Sequence, residues 1–453
     1  MGKLVDSPVV HTMADSDFIY GAFGNITSKM SVEEFRQHLN DNDEEVLNDL
    51  AFYIDINVAS SNGSTRVNVG GNMHMRALWE NAAVSALMDA NGNYCELNRS
   101  DNRYTKEGTY ILNGDGTLIS AFANADMMVI RPLDYGKIQT KTIGATTVLR
   151  QWLSLVPLPG GYIRPSRVVG KFKCRVVDGK LRSIPGVVPS NNVKIKTFWD
   201  YAQARSKNHG LANLEFRNDL LYHMMAKYGW RDSQNCKASD NSLVWGVGLD
   251  GSENTTSSAA SGFDRQKNIK TGAALSLGDY DGKVAVTDSE GGTCHSVNVA
   301  GFENPWGQYW EMVQGLCSVG TDVYCWKHNF MPTTDTPTAE TFVGVEHVLL
   351  TRATSEGAGQ TNMNIIASEE GQGSYMIPSG SLSGVSYGDY YYYAAAGKLW
   401  LFGGDSYYGS YCGLACARSS DAWTRADSNL SARLAFYGDV NKVSEARLRE
   451  LLS

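Results

Sequence analysis

Charged residues and long apolar runs are both scarce in this 453-residue chain. Charged side chains make up 19% of it, below the roughly 25% usual for soluble domains. The 40 basic and 48 acidic residues leave a formal net charge of −8, and no basic stripe is present that would neutralise nucleic-acid phosphates. No run of about 18 consecutive apolar residues occurs. We therefore expect neither nucleic-acid binding nor membrane insertion.

Paired metal-binding or redox cysteines are also missing. The eight cysteines include no C-x-x-C pair, which favours buried, reduced thiols in a protein made in a cytosol. Their spacing leaves one alternative open, a zinc site built from Cys317, Cys325, Cys412 and Cys416. The glycine-rich stretches lack the lysine of a P-loop, and residues 1–15 lack the apolar stretch of a signal peptide. We predict no metal and no cofactor.

Glycine and aromatic residues are abundant: the chain has 46 glycines, 23 tyrosines and 10 tryptophans. Apolar and polar residues alternate over 51–58, as in a half-buried strand, and Asp178–Gly179 is typical of a hairpin turn. Helical spacing predicts helices over 193–205 and 214–228, followed by long loops over 231–300. Helices followed by loops and short strands are typical of an α+β fold.

Residues 1–30 show little helical periodicity and are rich in turn residues, so we do not expect the first fifty residues to form a core alone. Ser31 and Glu34 form a capping box that predicts a short amphipathic helix over 31–39. We interpret residues 1–50 as an arm that docks on another protein, with a frayed terminus as the alternative. At the other end, residues 441–453 carry apolar side chains at helical spacing and predict a short helix.

An aromatic, glycine-rich segment at residues 301–311 contains Trp306 and Trp310 between two carboxylates, Glu303 and Glu311. Indole rings bury large areas and need a partner for their N–H group, while glycine permits turns and close backbone approach. Such a segment is typical of the centre of a loop-rich domain, where aromatic side chains replace long regular elements.

Residues 301–311 resemble the G-x-E-N-x-x-G-N-x-W-E-W signature of the formylglycine-generating-enzyme-like branch of the C-type lectin fold. That branch includes the variable receptor-binding proteins of tailed bacteriophages. Further landmarks follow in the family's order at 181–189, 198–210, 274–278, 401–406 and 431–436. The resemblance covers about residues 170–438, and its signature residues are Glu303, Asn304, Trp306, Trp310, Glu311 and Arg433. The stretch 15–35 is similar to the anchoring ends of phage virion fibres.

The resemblance implies a ligand-binding loop at residues 405–429. Tyrosines separated by small polar residues provide contact area at low entropy cost, and aromatic rings can stack on the apolar faces of sugars. The predicted ligand-binding residues are Asp405, Tyr407, Tyr408, Tyr411, Asp421, Trp423, Arg425 and Asp427. The alternative for individual tyrosines is a place in the core or in a trimer interface.

Enzymes of the same family provide a rival interpretation, because they carry two copper-binding cysteines in this loop. Cys412 resembles the second, but the first position falls near Tyr407 and Tyr408 and is not a cysteine. A lone thiol lacks the two-sulfur geometry of such a copper site. Glu303 and Glu311 could also form a glycosidase pair, although buried carboxylates bonded to backbone amides are the simpler interpretation. We therefore expect a protein that is not an enzyme.

The sequence thus predicts an α+β virion fibre protein of the head or tail. Its predicted parts are an anchoring arm (1–50), a β-rich spacer and oligomerisation region (51–169), a C-type lectin-like receptor-binding domain (170–440) and a short helix (441–453). The expected partners are further copies in a homotrimer, a capsid or tail protein bound by the arm, and a host-surface glycan or protein. A capsid decoration protein without a receptor is the second class.

Overall fold

The computed structural model describes residues 18–23, 26–31, 44–57, 67–229, 268–288, 291–320, 322–326, 329–351, 357–367, 374–381, 390–393, 398–405 and 412–453. The predicted α+β class is wrong: the chain is mostly β, with 42% strand and 19% helix. Strand pairing dominates because short apolar stretches between glycine-rich turns bury their side chains best in sheets. None of the helices in the described part is long and apolar enough to cross a membrane.

Five α-helices lie in the described residues: α1 (Glu44–Leu50), α2 (Met73–Glu80), α3 (Ile195–Arg205), α4 (Leu214–Tyr228) and α5 (Glu445–Leu452). The first strands are β1 (Phe18–Phe23), β2 (Ile26–Ser31), β3 (Phe52–Asn57), β4 (Asn68–Gly71), β5 (Val84–Met88), β6 (Asn93–Glu96), β7 (Asp126–Arg131), β8 (Asp134–Ile143), β9 (Thr146–Ser154), β10 (Tyr162–Arg164), β11 (Arg167–Lys173), β12 (Arg175–Val177), β13 (Lys180–Arg182) and β14 (His209–Leu211). The later strands are β15 (Gly282–Thr287), β16 (Thr293–Val299), β17 (Phe302–Glu303), β18 (Trp310–Val319), β19 (Asp322–Trp326), β20 (His347–Thr351), β21 (Gly357–Ala367), β22 (Ser374–Ser381), β23 (Tyr390–Tyr393), β24 (Lys398–Gly403), β25 (Gly413–Ala422), β26 (Leu430–Phe436) and β27 (Asn441–Lys442). Short 3-10 turns occur at Ser120–Phe122, Leu275–Leu277 and Ala339–Phe342.

The largest sheet has 15 strands, and its main path runs β22-β21-β23-β25-β24-β18-β26-β11-β7-β5-β6-β27. β26 lies near the middle, parallel to β18 and antiparallel to β11. β11 also pairs with β7, so the predicted domain boundary at residue 169 falls inside a continuous sheet. Residues of the predicted spacer therefore contribute three strands to the same sheet as the predicted lectin-like domain.

The rest of the predicted spacer builds a separate sheet of five strands in the order β10-β8-β9-β3-β4. Helix α4 packs against it: Leu221 and Met224 share a buried cluster with Ile54, Leu153 and Val299. The sequence predicts one apolar face for this helix, but nearly all of its residues are buried, because other elements also cover its polar face. The helix ends at Gly229, in the left-handed region at φ 69°, as predicted.

Several local predictions are confirmed. β3 matches the alternation over 51–58, β12 and β13 form the hairpin around Asp178–Gly179, and α3 and α4 match the two predicted helices. The loops predicted over 231–300 are wrong in part, because β15 and β16 pair antiparallel there; residues 231–267 lie outside the described residues. The helix predicted over 31–39 also lies outside them, except for Ser31 in β2.

The C-terminal helix is confirmed as α5, and it packs on its own chain. Leu448 is fully buried in a cluster that includes Leu97 and Phe122. Glu445 accepts a hydrogen bond from Thr109 Oγ1 at 2.8 Å. Burial of the apolar side of the helix and satisfaction of its first carboxylate together fix this end of the chain to the large sheet.

Candidate functional site

Residues 301–311 contain β17, the turn that follows it and the start of β18, and they lie in the interior. Asn304 (φ 46°) and Gln308 (φ 57°) adopt the left-handed region, as do Gly301 and Gly307. Such backbone is unfavourable for side chains other than glycine unless the surroundings compensate. Here the compensation is hydrogen bonding: Asn304 Oδ1 accepts from Val297 N at 3.0 Å.

The first carboxylate of the segment binds backbone amides. Glu303 accepts hydrogen bonds from Gly272 N at 2.9 Å and from Ala274 N at 2.8 Å. This confirms the prediction of a buried carboxylate bonded to backbone amides. Burial raises the pKa of Glu303 despite those two bonds and the nearby charge of Lys171. The two bonds fix the loop before the 3-10 turn at Leu275–Leu277.

The second carboxylate forms an ion pair that joins two central strands. Arg433 Nε of β26 lies 3.2 Å from Glu311 Oε2 of β18, and neither side chain is exposed to solvent. The same guanidinium donates to Glu303 O at 3.1 Å and to Lys171 O at 2.7 Å. Burial alone would raise the pKa of Glu311, but Arg433, Arg217 and Lys173 outweigh it and lower that pKa.

Two lysines of β11 also contact residues 301–311. Lys171 Nζ donates to Gly301 O and Lys173 Nζ donates to Asn304 O. Burial lowers the pKa of Lys171 to about 8 and that of Lys173 to about 7. Backbone carbonyls satisfy these ammonium groups but carry no full negative charge, which is why desolvation dominates.

A further arginine, Arg217 of α4, donates to Pro305 O at 2.7 Å and to Leu414 O at 3.1 Å. Sequence reasoning missed this residue together with Lys171 and Lys173. A sequence signal was available for the lysines, because they lie on either side of Phe172 in an otherwise apolar stretch. In the structure every residue of β11 is buried. Nothing in the helical pattern of α4 distinguishes Arg217 from a surface residue.

Trp306 and Trp310 are both fully buried, as are Glu311 and Arg433. All six signature residues therefore lie in the interior. Together with Lys171, Lys173 and Arg217, they form a buried network of charges and backbone hydrogen bonds. This network joins β11, β18, β26 and α4. Glu303 is engaged by backbone amides and Glu311 by Arg433, and the two residues are 2% and 0% exposed.

The predicted ligand-binding segment begins and ends on this network. Gly403 O accepts from Gly307 N at 3.2 Å, and Asp405 is buried, where its Oδ2 accepts from Asn429 Nδ2 at 2.8 Å. Cys412 Sγ donates to Asp405 O at 2.8 Å. These bonds fix residues 405 and 412 close together. Tyr407, Tyr408 and Tyr411 lie outside the described residues.

Two other predicted ligand-binding residues are buried. Trp423 is only 2% exposed, and its ring stacks near that of Trp326 with the centroids 6.3 Å apart. Asp421 is 7% exposed and lies 3.2 Å from Arg418 Nε. Asp405, Asp421 and Trp423 therefore do not present their side chains to solvent within this chain, because packing of β25 against its neighbours covers them.

Arg425 and Asp427 lie at the surface. The side chain of Arg425 is 48% exposed and that of Asp427 is 34% exposed, and the two form an ion pair. Arg425 also lies 3.8 Å from Asp421. Asp427 Oδ1 also accepts a hydrogen bond from Ser428 N at 2.6 Å. The structure thus brings Arg425 and Asp427 together at the surface.

Seven of the eight cysteines lie in the described residues, and all seven are buried. Burial raises the pKa of Cys95, Cys174 and Cys317 to about 12. Within the part of the chain that the structure describes, no three histidine, cysteine or acidic side chains group as metal ligands would. The four cysteines considered for zinc therefore do not form a ligand group there.

Comparison of the sequence with known protein families gives no match, and comparison with curated proteins gives no similar protein.

Proposed function

We propose that this chain is a virion fibre protein, attached to a phage head or tail, that binds a host-surface ligand through its rim at residues 405–429. The ligand class that fits best is a glycan. The observation that carries the proposal is the contrast between the two parts of this region: its ends are fixed to a buried charge network, while Arg425 is exposed and Asp427 is partly exposed.

Fixed ends of the segment favour ligand binding, because a segment that is already ordered loses less conformational entropy when the ligand binds. Arg433 and Glu311 fix β26 to β18, and Asn429 holds Asp405 at the start of the segment. The three tyrosines at 407, 408 and 411 supply aromatic rings between these fixed points in the sequence. Rings stack on sugar faces, while a guanidinium and a carboxylate bind hydroxyl groups.

The resemblance to phage receptor-binding proteins is the reason for placing the protein in a virion. Copies in a homotrimer then increase apparent affinity, since linked sites raise the effective concentration of the second binding event. Attachment to a capsid or tail protein through residues 1–50 belongs to the same proposal. No catalytic role is proposed, because both central carboxylates are used in the buried network.

The test uses the full chain on a glycan array and on intact bacterial cells. We expect Tyr407→Ala combined with Tyr411→Ala, and separately Arg425→Ala, to reduce binding at least tenfold while leaving the melting temperature within about 1 °C. Arg447→Ala is the matched control, because Arg447 is also an exposed arginine paired with a carboxylate, Glu450 at 2.8 Å. Its binding is expected to stay at the wild-type level.

Equal binding by the wild-type protein and all three variants would contradict a site at residues 405–429. Absence of binding to every glycan and cell tested would instead favour the capsid decoration class, in which the chain has no receptor.

A further inference from the structure

A small cavity lies away from the predicted binding rim, where helix α4 meets β7 and β11. Its volume is about 20 Å³, enough for one water molecule or one small ion. Three charged side chains line it, Arg131, Arg167 and Asp219, and most of the remaining lining is apolar, including Phe216 and Phe302.

The charges around this cavity do not balance. Asp134 accepts from Arg164 at 2.9 Å and from Arg167 at 2.9 Å. The carboxylate of Asp219 also forms ion pairs with Arg164 and Arg167. These four groups neutralise one another, and all are at least nine-tenths buried by side chain. Arg131 is a third cation at the same place.

Arg131 shares the carboxylate of Asp134 with the two other arginines. Its Nε lies 3.8 Å from Asp134 Oδ2, its guanidinium carbon lies 3.8 Å from the centroid of the Trp79 ring, and its Nη2 donates to Trp79 O at 3.1 Å. Its Nε is buried and has no hydrogen-bond partner among the residues that the structure describes. A buried donor without a partner is costly, and the same side chain lines the cavity.

The electrostatic environment agrees with a surplus of positive charge. Burial lowers the pKa of Arg131 and that of Arg167 to about 10; Asp134 opposes this shift, and the neighbouring arginines add to it. The other acidic groups that face this cluster are Glu80 and Glu215. Glu80 is engaged by Arg76 at 3.3 Å, and in the described part of the chain neither forms an ion pair with the three arginines.

We propose that the cavity binds one small monovalent anion, chloride under cellular conditions, held by Arg131 Nε beside Arg167. A volume of about 20 Å³ is small, which favours a monatomic anion over sulfate or phosphate. The apolar part of the lining favours weakly hydrated halides over fluoride, because less hydration energy is lost when they enter. The carboxylate of Asp219 does not prevent this, since both of its oxygens are already bonded to arginines.

Such an anion would stabilise a joint of the fold. Of the charged side chains that line the cavity, Arg131 comes from β7 and Arg167 from β11, both in the large sheet, and Asp219 comes from α4. An ion that binds only the folded state raises the melting temperature by mass action. The anion would therefore hold α4 to the large sheet.

The direct test is a crystal structure of the full chain grown in sodium bromide. We expect an anomalous bromide peak within about 3.5 Å of Arg131 Nε, in the range of a hydrogen bond to a large halide. A peak that scatters as water at this position, with no anomalous signal, would overturn the proposal. This measurement needs no variant and does not depend on ligand binding at residues 405–429.

Thermal unfolding provides the second test. At constant ionic strength, replacing gluconate by chloride should raise the melting temperature by roughly 1–3 °C with saturation, bromide should act at lower concentration, and fluoride should act weakly. Ala83→Val fills the cavity and should abolish this response. Ala77→Val, at an exposed position of α2, is the matched control and should keep it. A response that does not saturate, or that survives in Ala83→Val, would contradict the site.

Discussion

Residues 301–311 and residues 421–427 belong to the same resemblance, yet the structure places them differently. In the first segment Glu303, Trp306 and Glu311 are all buried. In the second segment burial changes along the chain: Trp423 is 2% exposed, whereas the side chain of Arg425 is 48% exposed. One segment is interior throughout, and the other passes from interior to surface within a few residues.

The difference shows how a motif can be divided between scaffold and surface. A buried carboxylate must be neutralised or hydrogen-bonded, and in residues 301–311 Arg433 and backbone amides do this for Glu311 and Glu303. Three further basic side chains donate to backbone carbonyls of the same segment. A surface arginine needs no buried partner, so the side chain of Arg425 stays 48% exposed while it pairs with Asp427. Membership in a motif therefore does not decide which residues are buried and which lie at the surface.

Arg433→Met tests the scaffold and should have the largest effect. It leaves Glu311 buried without its ion pair and removes the donor to Glu303 O and Lys171 O. Loss of one partner of a buried ion pair costs about 3–5 kcal/mol. We expect the free energy of unfolding in urea to fall by that amount. Arg425→Met, the surface counterpart, should change it by less than about 0.5 kcal/mol; equal losses would contradict the division between the two segments.

Trp423→Leu tests the boundary between the segments. The smaller side chain leaves a cavity beside Trp326 and should lower the free energy of unfolding by about 1–3 kcal/mol. Because the ring is buried, glycan or cell binding by the folded fraction should be unchanged at a temperature well below the melting point. A stable variant that has lost binding would show instead that Trp423 contacts the ligand.

Lys173→Met sharpens the comparison through pH. The folded chain releases the Lys173 proton near pH 7, because its pKa is lowered to about 7 from the ordinary 10.5, while the unfolded chain keeps the proton until about pH 10.5. Between these values raising the pH favours the folded state. Relative to Lys173→Met, the wild-type protein should gain up to about 1.4 kcal/mol per pH unit between pH 7 and 9.

Urea unfolding at pH 7, 8 and 9 measures that gain. Lys180→Met, at an exposed position of β13, should run parallel to the wild-type protein over the same range. Parallel curves for Lys173→Met as well would contradict the buried, easily deprotonated state of this lysine.

Local elements were predicted where one short stretch decides its own structure. The hairpin at Asp178–Gly179 follows from backbone that favours positive φ, and both residues adopt it at φ 49° and 71°. Helix α4 follows from apolar spacing and ends at Gly229. The α+β class was wrong because two recognisable helices were weighted above many short strands whose pairing partners lie far away in sequence.

The predicted site was separated by burial in the same way. Arg425 and Asp427 are at the surface, but Asp405 and Trp423 are covered, and the sequence of the loop looks alike at all four positions. The partners of the central segment were also beyond local reasoning. Lys173 lies 131 positions from its contact at Asn304 O, and Arg433 lies 130 positions from its contact at Glu303 O. The long-range pairing of β11 and β26 brings these residues together.

The sequence by itself determined the hairpin turn at Asp178–Gly179, helices α3, α4 and α5 and the aromatic centre of this protein, because these depend on residues that are neighbours along the chain. Only the tertiary structure decided which charges are buried together: Lys171, Arg217 and Arg433 meet one turn because β11, α4 and β26 converge there. Their energies depend on desolvation and on distances between remote segments, and no local pattern encodes either.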